Sequence, residues 1–175
     1  MQNKSSIYFY LGLFTPSYLS DTKYKISHVG MANSSAHLIE EGAVVFTRDA
    51  TIGLAAITTK KMAVSQHIIA WVCLGDINNK FLLNIIYAMN SELESLTMGS
   101  TIKTIGMPDI KELRMPIPPL HEQINIATNL DNRKRVIKKI IDKIACQVEE
   151  LQKYRQALIT AAVTGKIDVR EAGSL

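Results

Sequence analysis

The run Met115-Pro116-Ile117-Pro118-Pro119 divides the chain. Proline has no backbone donor and pushes the residue before it towards extended geometry, so the run is a stiff stop. From Leu120 to Thr164 there is no further glycine or proline, and Gly165 closes the stretch. Within it Leu130, Ile137, Ile144, Leu151 and Leu158 recur every seven residues, Ile141 and Val148 stand four residues after a member of that series, and Tyr154 stands three after. A strict seven-residue apolar repeat keeps one stripe turned towards a partner helix, which is the signature of a coiled-coil seam. At about 1.5 Å per residue the helix is ~65 Å long, more than one small domain covers. Packing of the helix on its own domain is the competing reading. No second helix of that length is encoded in the chain, so the seam calls for a second copy or another protein.

Before the prolines the pattern is mixed. Ala43-Val44-Val45-Phe46-Thr47, Leu54-Ala55-Ala56-Ile57-Thr58 and His67-Ile68-Ile69-Ala70-Trp71-Val72 read as short buried strands. Lys80 to Leu96 instead repeats apolar residues at three- and four-residue steps (Phe81, Leu82, Ile85, Ile86, Met89, Leu93, Leu96), as an amphipathic helix does. Asn78 or Asn79 is its cap and Gly99 lies just past its end. The fold class expected is α/β (α+β), continued by a long C-terminal α-helix.

The charge pattern permits a nucleic-acid partner without demanding one. The chain of 175 residues has a net charge of +4. Residues 1–118 carry 10 Lys+Arg against 9 Asp+Glu, and residues 119–175 carry 10 against 7. Arg133, Lys134, Arg135, Lys138, Lys139 and Lys143 are opposed nearby only by Asp131 and Asp142. Cys73 and Cys146 form no paired motif, which fits small packing residues in a reducing, cytoplasmic compartment. The apolar run Ile7–Phe14 is about half the ~18 residues a membrane span needs.

Motifs of catalysis are missing: no glycine-rich phosphate loop, no metal-ligand spacing among His28, His37, His67 and His121, and no nucleophile elbow. His67, inside an apolar run, reads as a hydrogen-bonded core histidine. Glu40-Glu41 and Glu149-Glu150 read as solvated faces, and Lys60-Lys61 as an exposed hairpin tip. No catalytic residue, metal or cofactor is expected.

Two loops offer nucleic-acid chemistry. Phe46 to Gly53 places Thr47, Arg48 and Thr51 on a tight connection between strands. Arginine pairs bidentately with guanine, and hydroxyls suit phosphates or bases. A purely structural turn built on Arg48 and Asp49 is the other reading. Gly99 to Thr104 carries Ser100, Thr101, Lys103 and Thr104, a phosphate clasp or a plain loop leading into a strand.

Taken together, the segments Gly42–Gly53, Val64–His67, Gly99–Ile105, Ile117-Pro118-Pro119-Leu120-His121-Glu122-Gln123, Tyr154–Ile159 and Ala162–Ile167 resemble the specificity subunits of type I restriction–modification enzymes, in order and spacing, over roughly residues 17–170. The resemblance implies a target-recognition domain over 1–118, truncated at its start relative to the family, a coiled-coil spacer helix over 119–165, and a tail over 166–175. It further implies antiparallel pairing of spacer helices, recognition of one half of a bipartite gapped target on double-stranded DNA, and docking to methyltransferase and restriction subunits that carry the catalysis. With one unit in the chain, the expected assembly is a homodimer through Leu130, Ile137, Ile141, Ile144, Val148, Leu151 and Leu158. A coiled-coil assembly or regulatory protein on the same scaffold, without DNA reading, is the alternative.

Overall fold

The computed structural model describes residues 18–22, 25–49, 52–99 and 103–168. Its centre is a four-stranded sheet in the order β1 (Tyr18–Leu19), β4 (Ala55–Thr58), β3 (Val44–Thr47), β6 (Ile68–Trp71). β3 is antiparallel to both neighbours and β1 runs parallel to β4. The three strands expected from the sequence are therefore the sheet's core. Side chains alternate faces along each strand. Val44, Phe46, Ala55 and Ile57 point to one side, whereas Ala43, Val45 and Ala56 point to the other.

The first face is covered by α2 (Asn79–Ala88) and α3 (Asn90–Ser95), whose Leu82, Leu83, Ile86 and Leu93 are buried. Phe46 and Trp71 stack across the strand pair with ring centroids 5.1 Å apart. The Asn78 side chain accepts from the Phe81 N–H and caps α2. The helix expected over Lys80–Leu96 is thus present, interrupted at Met89. The second face meets a two-stranded sheet of β2 (His37–Ile39) and β5 (Met62–Val64), with Ile39 and Met62 in the smaller core. A short helix α1 (His28–Ala32) precedes β2.

β4 and β5 belong to different sheets, so Lys60-Lys61 does not tip a hairpin. It links the two sheets, and Lys60 pairs with Asp21 and Lys61 with Glu40. β7 (Thr97–Met98) and β8 (Thr104–Ile105) form a small ribbon, followed by α4 (Met107–Glu112).

The last helix, α5 (Leu120–Val163), has 44 residues. The Pro119 carbonyl accepts the first helical hydrogen bonds, from Glu122 and Gln123. At the far end Lys166 N–H bonds to Ala161 O and Gly165 N–H to Ala162 O, with Gly165 at φ 71°. That is a Schellman ending, which puts the glycine in the left-handed conformation it tolerates.

The chain divides into two compact units, residues 1–134 and 135–175. In the first, the opening turns of α5 are part of the domain. Gln123 and Ala127 are buried, Asp131 pairs with Lys80 at 3.1 Å, and Lys134 donates to Asn84 Oδ1 beside the Tyr87 ring. The Lys80 ammonium is held above its usual range by the hydrogen bond to Asp131, and burial pushes Lys134 down. In the second unit the described residues are the remainder of α5 and its closing turn.

Candidate nucleic-acid interface

One end of the central sheet gathers three connections. The first is the connection from β3 to β4, described at residues 48–49 and 52–54. The second is the turn Ser65–His67, which leads into β6. The third is the end of the β7–β8 ribbon at Lys103-Thr104. Backbone bonds stitch them together: Arg48 N–H donates to His67 O at 3.2 Å, Ile105 N–H donates to Arg48 O at 3.1 Å, and Asp49 forms an isolated bridge with Thr104. The two loops singled out in the sequence therefore meet at Asp49 and Thr104, 55 residues apart in the chain.

The first loop has its geometry from Gly53. This residue sits at φ +83°, and a Cβ there would lie 2.2 Å from Asn90 Oδ1, so any side chain at this position is strained and Asn90 would have to shift. Gly53 N–H closes the turn on Thr47 O at 3.2 Å.

Among the expected site residues, Thr47, Arg48, Lys103 and Thr104 meet in this cluster, whereas Thr51, Ser100 and Thr101 lie outside the described residues. Arg48 is mostly buried, its side chain 20% exposed, and its Nε lies 3.7 Å from Asp49 Oδ1. Neither of those two atoms has a hydrogen-bond partner among the described residues. Lys103 is exposed.

Asp49 is the hub that sequence reasoning missed. Its Oδ2 bonds to His67 Nδ1. This hydrogen bond is the main reason the Asp49 carboxyl is held below its usual range; burial opposes it, and the Thr104 hydroxyl and Arg48 add to the lowering. His67 corrects an expectation. It is no core residue: its side chain is 61% exposed, because the turn Ser65–His67 ends just before β6 enters the sheet. The apolar residues that suggested burial all follow it.

On the second face an apolar groove of about 850 Å³ runs past Leu19, Val45, Ala56, Met62 and Ile68. Such walls offer little to a polar ligand. Among the described residues no cluster of His, Cys, Asp and Glu could hold a metal ion, and no helix is long and apolar enough to cross a membrane. The Ile7–Phe14 run lies outside the described residues.

The residues proposed for pairing line one stripe of α5. Ile137, Ile144, Val148, Leu151 and Leu158 are exposed, Ile144 at 53%, and Leu130 and Ile141 are half-buried. So much exposed aliphatic surface at heptad spacing is unusual for a helix that ends its life alone in water.

The fold and cluster define a mixed α/β module continued by a heptad-patterned helix. Residues 3–150 match the model of the type I restriction modification DNA specificity domain, and the chain belongs to that family. It is similar to the putative type I restriction enzyme MjaX specificity subunit of Methanocaldococcus jannaschii, at 28% identity over 94 residues, which is 54% of this chain and 21% of that protein. It is similar also to the type I restriction enzyme EcoBI specificity subunit of Escherichia coli, at 28% over 90 residues, 51% of this chain and 19% of that one. The matched stretch of the chain thus spans about a fifth of the length of these relatives.

Two solved structures share the fold. The HsdS subunit from Thermoanaerobacter tengcongensis aligns with a TM-score of 0.59 at 18% identity, covering 87% of this chain and 38% of that one. A chain from a structure on complex assembly and conformational transition of the type I R-M system aligns with a TM-score of 0.65 at 17% identity, covering 85% and 38%.

Proposed function

We propose that this chain recognises DNA as a non-catalytic specificity subunit of a type I restriction–modification complex. It reads one half of a bipartite, gapped target through the loops at the end of its central sheet. It pairs with a second copy through the α5 seam, antiparallel and with two-fold symmetry, and it directs methyltransferase and restriction subunits to the site. The observation that carries the reading is the meeting of Arg48 and Asp49 with Thr104 and Ile105 at one end of a domain whose long helix exposes a heptad stripe. A reading surface and an unpartnered seam are the two parts that a half-site module needs.

The test is methylome sequencing of cells carrying this gene with its modification partner. The expected result is one new methylated motif: two half-sites in inverted orientation around a gap of fixed length. An unchanged methylome, with the partner active and this chain present, would mean that the scaffold assembles without reading DNA.

A further inference from the structure

Asp49 and His67 form an arrangement that the loop inventory does not explain. Long or mobile exposed side chains ordinarily keep their rotamer freedom, since ordering them has an entropic cost. The His67 ring is largely exposed, yet it is tied at Nδ1 to a carboxylate only 17% exposed. An ionised carboxylate can only accept, so the shared proton belongs to Nδ1. In the neutral ring Nε2 is then a lone-pair acceptor. No partner for Nε2 is found among the described residues. The His67 carbonyl in turn accepts from the Arg48 N–H, which ties this turn to the first loop. With the ring neutral, the result is a preorganised acceptor beside the cluster of Thr47, Arg48, Lys103 and Thr104.

We propose that His67 reads a base edge, its Nε2 accepting a hydrogen bond from an exocyclic amino group in the major groove, with Asp49 as the residue that positions it. Major-groove amino donors are adenine N6 and cytosine N4, so the partner base is an adenine or a cytosine, at one fixed position and on one strand of each half-site. The inference rests on the DNA-recognition reading and adds to it a contact, its polarity and its support. Arg48 and Lys103 are cations suited to guanine and phosphate. His67 supplies the acceptor that those two lack.

The experiment uses the full chain assembled with its methyltransferase subunits. Binding is measured for the cognate duplex, for each singly substituted duplex, and for non-specific duplex, with wild type, His67→Ala and Asp49→Asn. His67 is exposed, so its alanine variant is expected to fold, with a melting temperature lowered only by the lost bond to Asp49. It is expected to lose on the order of tenfold in cognate affinity and to become indifferent to one base pair per half-site, with non-specific binding unchanged. Asp49→Asn is expected to relax the same position less fully, because its amide oxygen still accepts from Nδ1–H. Replacing the implicated base by an analogue without its amino group should weaken wild type and leave His67→Ala untouched, the mark of a coupled pair. Wild-type selectivity in His67→Ala overturns the assignment. So does a uniform loss with a smaller salt slope, which marks a phosphate contact. Failure of the wild-type complex to discriminate its target at all sinks the recognition reading instead, and so the two failures are distinguishable.

Discussion

Gln123 Oε1 accepts a hydrogen bond from the backbone N–H of Asn78 at 2.9 Å, across 45 residues of sequence. The same side chain donates from Nε2 to Asp76 O at 2.9 Å and to Pro118 O at 2.8 Å, and it is completely buried. One amide thus ties the start of α5 to the loop whose Asn78 side chain caps α2. This gives the glutamine of the Pro-Pro-Leu-His-Glu-Gln segment a physical task. Gln123→Ala leaves the Asn78 N–H and the Asp76 and Pro118 carbonyls, all in part-buried bonds, without this partner, and unsatisfied buried groups cost about 1–3 kcal/mol each. Urea unfolding is expected to show a loss of about 2–5 kcal/mol, against little change for Glu122→Ala, whose side chain is exposed. A Gln123→Ala protein as stable as wild type would show that water replaces the amide.

Asp49 makes a pH prediction. Its folded carboxyl is held low, chiefly by His67, so its contribution is fully present above the unfolded value near ~3.9 and is lost as pH falls through the folded one. Wild type should therefore exceed Asp49→Asn in stability above about pH 5, and the margin should shrink below about pH 4. Unfolding curves across pH 2.5–7 for both proteins, roughly the range in which carboxylates titrate, would reveal it. A margin that stays level to the acid end contradicts the lowered carboxyl.

Much of the fold was legible because it is periodic. Val44–Thr47, Ala55–Thr58 and Ile68–Trp71 are apolar runs long enough to bury both faces, and the α5 heptads do not slip. What stayed hidden is short or non-local. Tyr18–Leu19, Thr97–Met98 and Thr104–Ile105 are two-residue strands with no period to detect. The β2–β5 pair joins segments 25 residues apart by register alone. The candidate loops were visible in composition. Their meeting at the Asp49–Thr104 bridge, and His67's place on it, depend on tertiary packing that no local pattern encodes.

At the proposed reading surface, Arg48 and Lys103 should behave differently. Arg48→Ala is expected to cost about 1–3 kcal/mol in binding and to relax one base position. Lys103→Ala should weaken all sequences alike and lower the salt slope by roughly one unit. Titrations at several salt concentrations separate the two. If both folded variants direct methylation at the wild-type rate, these residues do not touch DNA.

The seam gives an assembly prediction. With Ile144 near the two-fold axis, Leu130 of one copy meets Leu158 of the other. Ile144→Asp with Leu151→Asp puts unpaired charges into that contact and should convert a dimer to a monomer, since burying such charges is costly. The compact domain should be unaffected, because both residues are exposed on the single chain. Light scattering at micromolar concentration reads the mass directly, and a monomeric wild type would refute self-pairing.

Symmetry and helix length together predict the target's form. Two identical domains joined by an antiparallel helix pair must read identical half-sites in inverted orientation, so the motif is a gapped palindrome. Leu120 to Leu158 covers ~57 Å at about 1.5 Å per residue, which bounds the separation of the half-sites. One duplex turn of ~34 Å falls within that bound and presents both half-sites on one face. The gap is then set by the helix, not by base contacts. Deleting Ile137 to Lys143 removes one whole heptad, keeps the seam in phase and shortens each helix by ~10 Å. Methylome sequencing of the deletion beside wild type should show the same half-site bases with a gap shorter by a few base pairs, or no methylation where the new phase turns the half-sites onto different faces. New half-site bases would place the reading function on the helix. A non-palindromic wild-type target would require a second, different recognition domain from another chain, and the homodimer would have to be abandoned.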